Sequence, residues 1–143
     1  MAAQTPKSIR ARLMTLLEDP AGAALVRANE AFTVTRQPAS LVDNAYMLET
    51  ERVREDTLTS EVTARIDRIT LTVARRVTMD SETAARALLD TLDDVDRRVR
   101  ADGTSQGYHM QPGQSRVSRP DGKDYCVGVL TWLCDYDFSE AVA

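Results

Sequence analysis

Residues 124–138, with the sequence DYCVGVLTWLCDYDF, constrain the fold more than any other part of the chain. Side chains along a strand point alternately to the two faces of a sheet. Apolar residues occupy both alternating sets, with Leu130 and Trp132 on one face and Val129 and Leu133 on the other. A strand that is apolar on both faces is usually a central strand, covered above and below. The sequence therefore predicts a sheet organised around this strand.

A hairpin over residues 114–138 is predicted to place a second strand beside it. Pro120, Asp121 and Gly122 form a typical turn sequence, because proline fixes the first φ angle and glycine tolerates a positive one. The residues that follow the strand, 139–143, are predicted to form a short tail.

A long amphipathic helix is predicted over residues 81–101. Leu88, Leu92 and Val95 lie on one stripe at helical spacing, and aspartate–arginine pairs four residues apart support its exposed side. Gly103 follows this stripe and is a typical residue for a helix end.

The first half of the chain contains a second helix and further strands. Thr5 and Pro6 predict the start of a helix over residues 6–18, since threonine caps a helix and proline suits its first position. Strands are predicted over residues 31–36 and 67–77 from their β-branched residues and alternating pattern.

Residues 45–66 are predicted to be a strand-and-loop region, in which a long exposed loop over residues 49–60 joins two strands. Loops of that length in a compact domain are often interaction elements. Val62, Ile66 and Ile69 also fit one face of a helix, so a helix is the alternative for this region.

Together these elements predict a single α+β domain over residues 1–143, with a mixed or antiparallel sheet of about four to five strands. The N-terminal helix and the long amphipathic helix are expected to pack on this sheet. The predicted core comprises Leu13, Leu17, Leu71, Val73, Leu88, Leu92, Val95, Val129, Leu130, Trp132 and Leu133.

Composition excludes several classes of function. The net charge of −4 argues against a dedicated nucleic-acid-binding surface, because phosphate recognition needs clustered lysine and arginine. The chain has no long apolar run and no apolar signal-peptide region. We therefore expect a protein of the cytoplasm, or of a particle assembled there, without membrane contact.

Charge is unevenly spread along the chain. Residues 1–40 carry five basic and three acidic groups (+2), residues 103–123 carry three and one (+2), and residues 80–102 carry four and seven (−3). Opposite patches on one small chain fit self-association in a ring, although unpatterned solvated faces are the commoner cause of such a distribution.

No catalytic, metal or cofactor site is predicted, and the chain is expected not to be an enzyme. His109 is the only histidine and cannot form a histidine-based metal site alone. Cys126 and Cys134 are expected about 26 Å apart on the final strand, too far for a disulfide, and are interpreted as reduced core residues. Asp135 and Asp137 are interpreted as solvated carboxylates, and no phosphate-binding or nucleophile motif occurs.

Protein contacts are the predicted role for the charged and aromatic residues of two predicted loops and of the final hairpin. The first loop is residues 49–60, and the second contains residues 108–110. The second loop is also compatible with packing of its own side chains over the long helix. The candidate subunit or partner interface comprises Glu51, Arg52, Arg54, Glu55, Asp56, Tyr108, His109, Met110, Arg116 and Arg119.

The order of these elements resembles that of a known family. An N-terminal helix (PKSIRARLMTLLEDP), a strand leading into a long helix (RITLTVARRVTMDSETAARALLDTLDDVDRRVRADG) and a terminal hairpin (SRPDGKDYCVGVLTWLCDYDF) together resemble the tail terminator, or tail completion, proteins of phages with lambda-like, long non-contractile tails. Neck and connector subunits of phage particles have comparable layouts, and a small non-enzymatic binding module is a further alternative.

The resemblance implies a virion protein, assembled in the host cytoplasm, that forms a hexameric ring. Such a ring caps the tail tube at its full length and later joins it to the head. The implied partners are other copies of the chain, the tail-tube protein and a neck or connector protein. DNA would pass through the channel without being specifically bound.

Overall fold

A computed structural model describes residues 3–28, 31–32, 42–77, 81–118 and 125–139. Its architecture is α+β, as predicted, with a sheet packed against helices. Neither helix among these residues has the length and apolar character that a membrane span requires. The elements in chain order are β1 (Ala3–Gln4), α1 (Pro6–Glu18), β2 (Val26–Arg27), β3 (Ala45–Thr57), β4 (Thr63–Arg76), α2 (Ser81–Gln106), β5 (His109–Met110), β6 (Gln114–Ser118) and β7 (Tyr125–Phe138).

The sheet is mixed and is built around β7, which confirms the prediction from the sequence. β4 pairs antiparallel with the whole length of β7, from Thr63 opposite Phe138 to Arg76 opposite Tyr125. The other edge of β7 pairs with β6, β5 and β1 in turn. On the far side β4 pairs antiparallel with β3, and β2 pairs parallel with the start of β3. Both of the parallel pairs, β2 with β3 and β1 with β7, involve strands of two residues.

Both helices pack on one face of this sheet. α1 begins with a capping box, in which the Thr5 hydroxyl accepts from the Ser8 amide and the Ser8 hydroxyl accepts from the Thr5 amide. α2 buries Leu88 and Leu92 completely. Gly128 on β7 makes room for them, because a Cβ there would lie 2.8 Å from Leu92 Cδ1. The predicted core residues that are buried are Leu13, Leu17, Leu71, Val73, Leu88, Leu92, Val95, Leu130 and Trp132.

The opposite face of the sheet, which we call the open face, is covered only in part by the described residues. Phe32 packs at one end of it, against a small cluster that includes Ala74 and Val127. Val129 and Leu133 lie further along and are only half-buried. Their assignment to the core was therefore wrong, because none of the described helices covers that part of the open face.

The region 45–66 differs from the prediction. β3 continues through residues 49–57, which pair with β4, and the connection between the two strands spans only residues 58–62. Both the long loop and the alternative helix are therefore wrong. The polar composition that suggested a loop belongs to an exposed strand, which has no buried side chains to reveal its alternation.

α2 also extends beyond its predicted end at residue 101 and past Gly103, the predicted stop. It continues to Gln106, and Gly107, with a φ of 92°, follows its last residue. Gly103 serves packing instead, since a Cβ there would lie 2.6 Å from the Tyr108 carbonyl oxygen.

The terminal hairpin pairs as predicted, with Gln114 opposite Thr131 and Ser118 opposite Val127. Its turn at residues 120–122 lies outside the described residues. The predicted strand over 31–36 falls mostly outside them, and residues 31–32 are not in a strand. Of the predicted tail, the structure describes only Ser139.

Candidate interaction surface

The outer edge of β3 is the most exposed part of the sheet. Pairing with β2 ends at Tyr46, and no strand among the described residues pairs with this edge further along. Residues 49–57 are all exposed. A long strand with one unpaired edge can accept a strand from a partner, and charged residues and bulges usually protect such an edge. Both protective features occur here, with a bulge between Arg52 and Arg54.

Ion pairs hold the charged side chains of this strand in place. Arg68 on β4 contacts Glu51 at 3.2 Å, and Arg54 contacts Asp56 at 2.8 Å. Arg65 contacts Glu55 at 3.0 Å. The predicted interface residues of the region therefore lie together on one strand and present an ordered pattern of both charges.

Arg52 differs from the others because it is anchored below the surface. Its Nε donates to Asp67 Oδ1 at 2.6 Å, and the Asp67 side chain is only 2% exposed. The Tyr136 hydroxyl donates to the other oxygen of Asp67 at 2.7 Å. Burial and this hydrogen bond raise the pKa of Tyr136 to about 12. Arg52 therefore links the exposed strand to the core and serves the fold.

The Asp67 arrangement is one of four similar ones. In each, a buried aromatic side chain donates to a carboxylate that also binds an arginine, so the aromatic polar atom and the arginine share one acceptor group. Three of the four join a helix to the sheet or to the segment after α2. The groups are Tyr46–Glu18–Arg27, Tyr108–Asp102–Arg12, Trp132–Asp96–Arg100 and Tyr136–Asp67–Arg52.

Sequence reasoning missed these carboxylate anchors. Only the pairing of Asp96 with Arg100 was visible, as an acid and a base four residues apart, and the structure places them 3.1 Å apart. The contact of Asp96 with Trp132 joins residues that are distant in sequence, and no local pattern reports it.

The predicted contact cluster at residues 108–110 is corrected by the structure. Tyr108 and Met110 are each 2% exposed, because the Tyr108 hydroxyl binds Asp102 at 2.8 Å and Met110 pairs opposite Cys134 on β7. They belong to the core, as the alternative interpretation held. His109 is exposed and lies opposite Asp135.

The last two predicted interface residues lie on the final hairpin. Arg116 is exposed on β6, opposite Val129. Arg119 lies outside the described residues. Arg116 therefore sits at the far end of the sheet from residues 49–57, separated from them by β7 and β4.

Two grooves follow the two ends of the sheet. One, of about 300 Å³, runs beside the β3 edge and includes Met14 and Met47 among its lining residues. The other, of about 410 Å³, lies beside β6 and is lined by Arg116, Val129 and Thr131 among others. Both are open and shallow surfaces, which suits contact with a protein segment better than enclosure of a small ligand.

Possible metal ligands are dispersed among the described residues, and the thiols are buried. They contain no group of three or more histidine, cysteine, aspartate or glutamate side chains that could hold a metal ion. Cys126 and Cys134 are both buried, and no disulfide joins them. Burial raises the pKa of Cys134 to about 12, so its thiol is a poor nucleophile at neutral pH.

Comparison with known proteins adds no further site. No protein-family model matches the sequence, and no curated protein matches it. Function is therefore inferred from the β3 edge, the β6 edge and the open face.

Proposed function

We propose that the protein is a structural subunit of a phage particle, the tail terminator, which acts without catalysis. In this role six copies form a ring that caps the tail tube and joins it to the neck. The ring contacts the tail-tube protein on one side and a neck or connector protein on the other. DNA passes through its channel without being specifically bound, and the protein resides in the virion.

The exposed half of β3 is the observation that carries this proposal. Residues 49–57 are exposed in one chain, yet they are ordered as a strand and held by ion pairs to β4. A soluble domain that acts alone usually keeps an edge strand short. A long ordered edge that bears both charges is what a subunit needs for specific contact with its neighbours.

The distribution of charge supports a head-to-tail arrangement. In a cyclic ring each copy uses two different surfaces, so complementary groups belong at opposite ends of the subunit. The exposed half of β3 carries four acidic and two basic side chains within residues 49–57, whereas β6, at the opposite end of the sheet, carries Arg116 as its one charged side chain.

The mass of the purified protein in solution tests the proposal. Light scattering behind size exclusion, over a concentration series, is expected to give six times the chain mass of 15.8 kDa, or a monomer that adds to the ends of assembled tail tubes. Electron microscopy of tubes mixed with the protein checks the second case. A monomer that never associates with tube ends would exclude this function.

A charge reversal on the exposed strand tests the proposal, and the same change on α2 is its matched control. Arg54→Glu alters a 67% exposed side chain and should leave stability within about 0.5 kcal/mol while it weakens assembly. Arg97→Glu makes the same change on α2, where the side chain is 71% exposed, and should change neither property.

The groove beside the β3 edge favours a second candidate function, a small binding module that acts as a monomer or dimer. Its lining combines Met14 and Met47 with Arg10 and Arg27, which suits an extended peptide that adds to the sheet. A stable dimer, or a monomer that binds a peptide and ignores tube ends, would favour this candidate. A neck or connector subunit would instead form a ring that binds the head side.

A further inference from the structure

Among the described residues, the sheet has one unpaired strand edge at each of its two ends. The edge of β3 is mainly acidic, and the edge of β6 carries Arg116. At one end, no strand among the described residues pairs with the outer edge of β3 beyond Tyr46. At the other end, β6 pairs with β7 only, and no strand among the described residues covers its outer edge. Unpaired edges are the usual sites of strand addition, and one chain that carries both can satisfy each with the other edge of a second copy.

The backbone groups that face outward can be identified on both edges. The amides of Val26 and Ala28 donate to the carbonyls of Asn44 and Tyr46, so even-numbered residues of β3 direct their polar groups to the outer edge. Leu48 follows this pattern, since its carbonyl accepts from Arg10 at 3.3 Å.

On β7 the Leu133 carbonyl accepts from the Gln111 amide. Odd-numbered residues of β7 therefore direct their polar groups toward β5 and β6. Their partners on β6 are the even-numbered residues, including Arg116 opposite Val129. The backbone N–H and C=O groups of Ser115 and Val117 therefore point to the outer edge of β6.

Topology also sets the direction of the contact. β3, β4, β7 and β6 are joined by antiparallel pairs, so β3 and β6 run in opposite directions. In a rotationally symmetric ring, with open faces on the same side, β6 of one copy meets β3 of the next in an antiparallel pair.

Only one register pairs all five residues of β6 with the part of β3 that lies between β2 and the bulge. β2 pairs with the outer edge of β3 as far as Tyr46, and the bulge interrupts β3 after Arg52. The five residues of β6 fit between these limits when Val117 lies opposite Leu48. The resulting pairs are Ser118–Met47, Val117–Leu48, Arg116–Glu49, Ser115–Thr50 and Gln114–Glu51.

This register also matches the side chains. Arg116 and Glu49 are both exposed on the open face, and opposite charges directly across an antiparallel pair stabilise it. Val117 and Leu48 meet on the helix-covered face. Shifting by two residues would place Ser115 opposite Arg52 and push Gln114 into the bulge, or would place Val117 opposite Tyr46, where β2 already lies.

We propose that β6 of one copy extends the sheet of the next copy by antiparallel pairing with β3, with Arg116 opposite Glu49. The contact joins two different edges, so it repeats around a ring and pairs the outer edge of every β6 when the ring closes. The inference rests on the proposed function and names the contact that joins neighbouring subunits.

A cysteine pair tests the contact directly. In Glu49→Cys/Arg116→Cys the two new thiols come within disulfide distance only between copies, because within one chain they lie three strand spacings, about 14 Å, apart. Mild oxidation is expected to give a ladder of covalent oligomers that ends at a single closed species. The matched control, Glu55→Cys/Arg116→Cys, places an exposed thiol beyond the bulge and should give no ladder.

Charge reversal provides a second and independent readout. Arg116→Glu and Glu49→Arg should each weaken association about tenfold, because like charges then lie opposite one another. Combining the two changes should restore it. Equal cross-linking in the test and control pairs, the absence of a ladder, or a double variant no better than the single ones would overturn the contact.

The two proposals fail in different ways. A ring of six times the chain mass that binds tube ends but gives no Glu49→Cys/Arg116→Cys ladder would exclude this contact and retain the proposed function. Oligomers that form the ladder and ignore tube ends would retain the contact and exclude the proposed function.

Discussion

Asp96 joins the long helix to the central strand, and its removal should have a large and specific effect. Its Oδ1 accepts from the Trp132 indole N–H at 2.7 Å and from the Gly113 amide at 2.9 Å. Its Oδ2 lies 3.1 Å from Arg100, and the side chain is 13% exposed. Asp96→Ala leaves these donors without their acceptor.

The magnitude follows from how deeply each donor is buried. Trp132 is 1% exposed, so its unpaired N–H should cost about 1–3 kcal/mol. Gly113 is half-buried and can regain water, which limits its loss to about 0.5–1 kcal/mol. Alanine recovers roughly 0.5 kcal/mol as the better helix former. The expected net loss is about 1–3.5 kcal/mol.

Urea unfolding followed by fluorescence measures this loss. Trp132 is the one tryptophan of the chain. Its fluorescence therefore reports the hydrogen bond to Asp96 as well as unfolding. Asp96→Asn is the matched control because it retains an acceptor for Trp132 and should lose less than Asp96→Ala. A loss below about 1 kcal/mol for alanine, or equal losses for both variants, would refute the reasoning.

Three further outcomes are expected. Gly128→Val should lower the free energy of unfolding by about 1–3 kcal/mol, because its Cβ would lie 2.8 Å from Leu92 Cδ1; thermal unfolding measures this, and an unchanged midpoint would contradict it. Burial and a carboxylate neighbour raise the pKa of Tyr46 and Tyr136 to about 12. The folded state therefore retains phenolic protons that the unfolded chain loses above about pH 10. The contribution of these two tyrosines to the free energy of unfolding should be constant below that pH and should decline as the pH rises toward 12. Unfolding at successive pH values tests this, and Tyr136→Phe should weaken the dependence. Burial raises the pKa of Cys134 to about 12, so a thiol reagent should label it slowly in the native protein and readily in urea.

Sequence patterns predicted the elements whose signals are local. Pro6 and the Thr5 cap marked the start of α1, and the leucine stripe marked α2, because capping and helical periodicity depend on residues a few positions apart. The apolar content of β7 likewise predicted its central place. Each of these signals can be read from residues that are close together in the sequence.

The parts that sequence reasoning missed depend on distant residues. Residues 49–57 form a strand only because β4 lies beside them, and their exposed side chains show no apolar alternation. Tyr108 was placed on the surface because no local pattern reveals the Asp102 that binds its hydroxyl. Val129 was placed in the core because the sequence does not say where helices leave the open face bare.

The full-length pairing of β4 with β7 also has a consequence for synthesis. These two strands are separated in the chain by α2, β5 and β6, so the middle of the sheet forms only after all of those segments have left the ribosome. Until then β4 has only β3 as a neighbour, and the leucines of α2 lack the surface that buries them. Long-range pairing of this kind slows folding, and such exposed segments are prone to aggregate. The nascent chain should therefore be most prone to aggregate until β7 emerges.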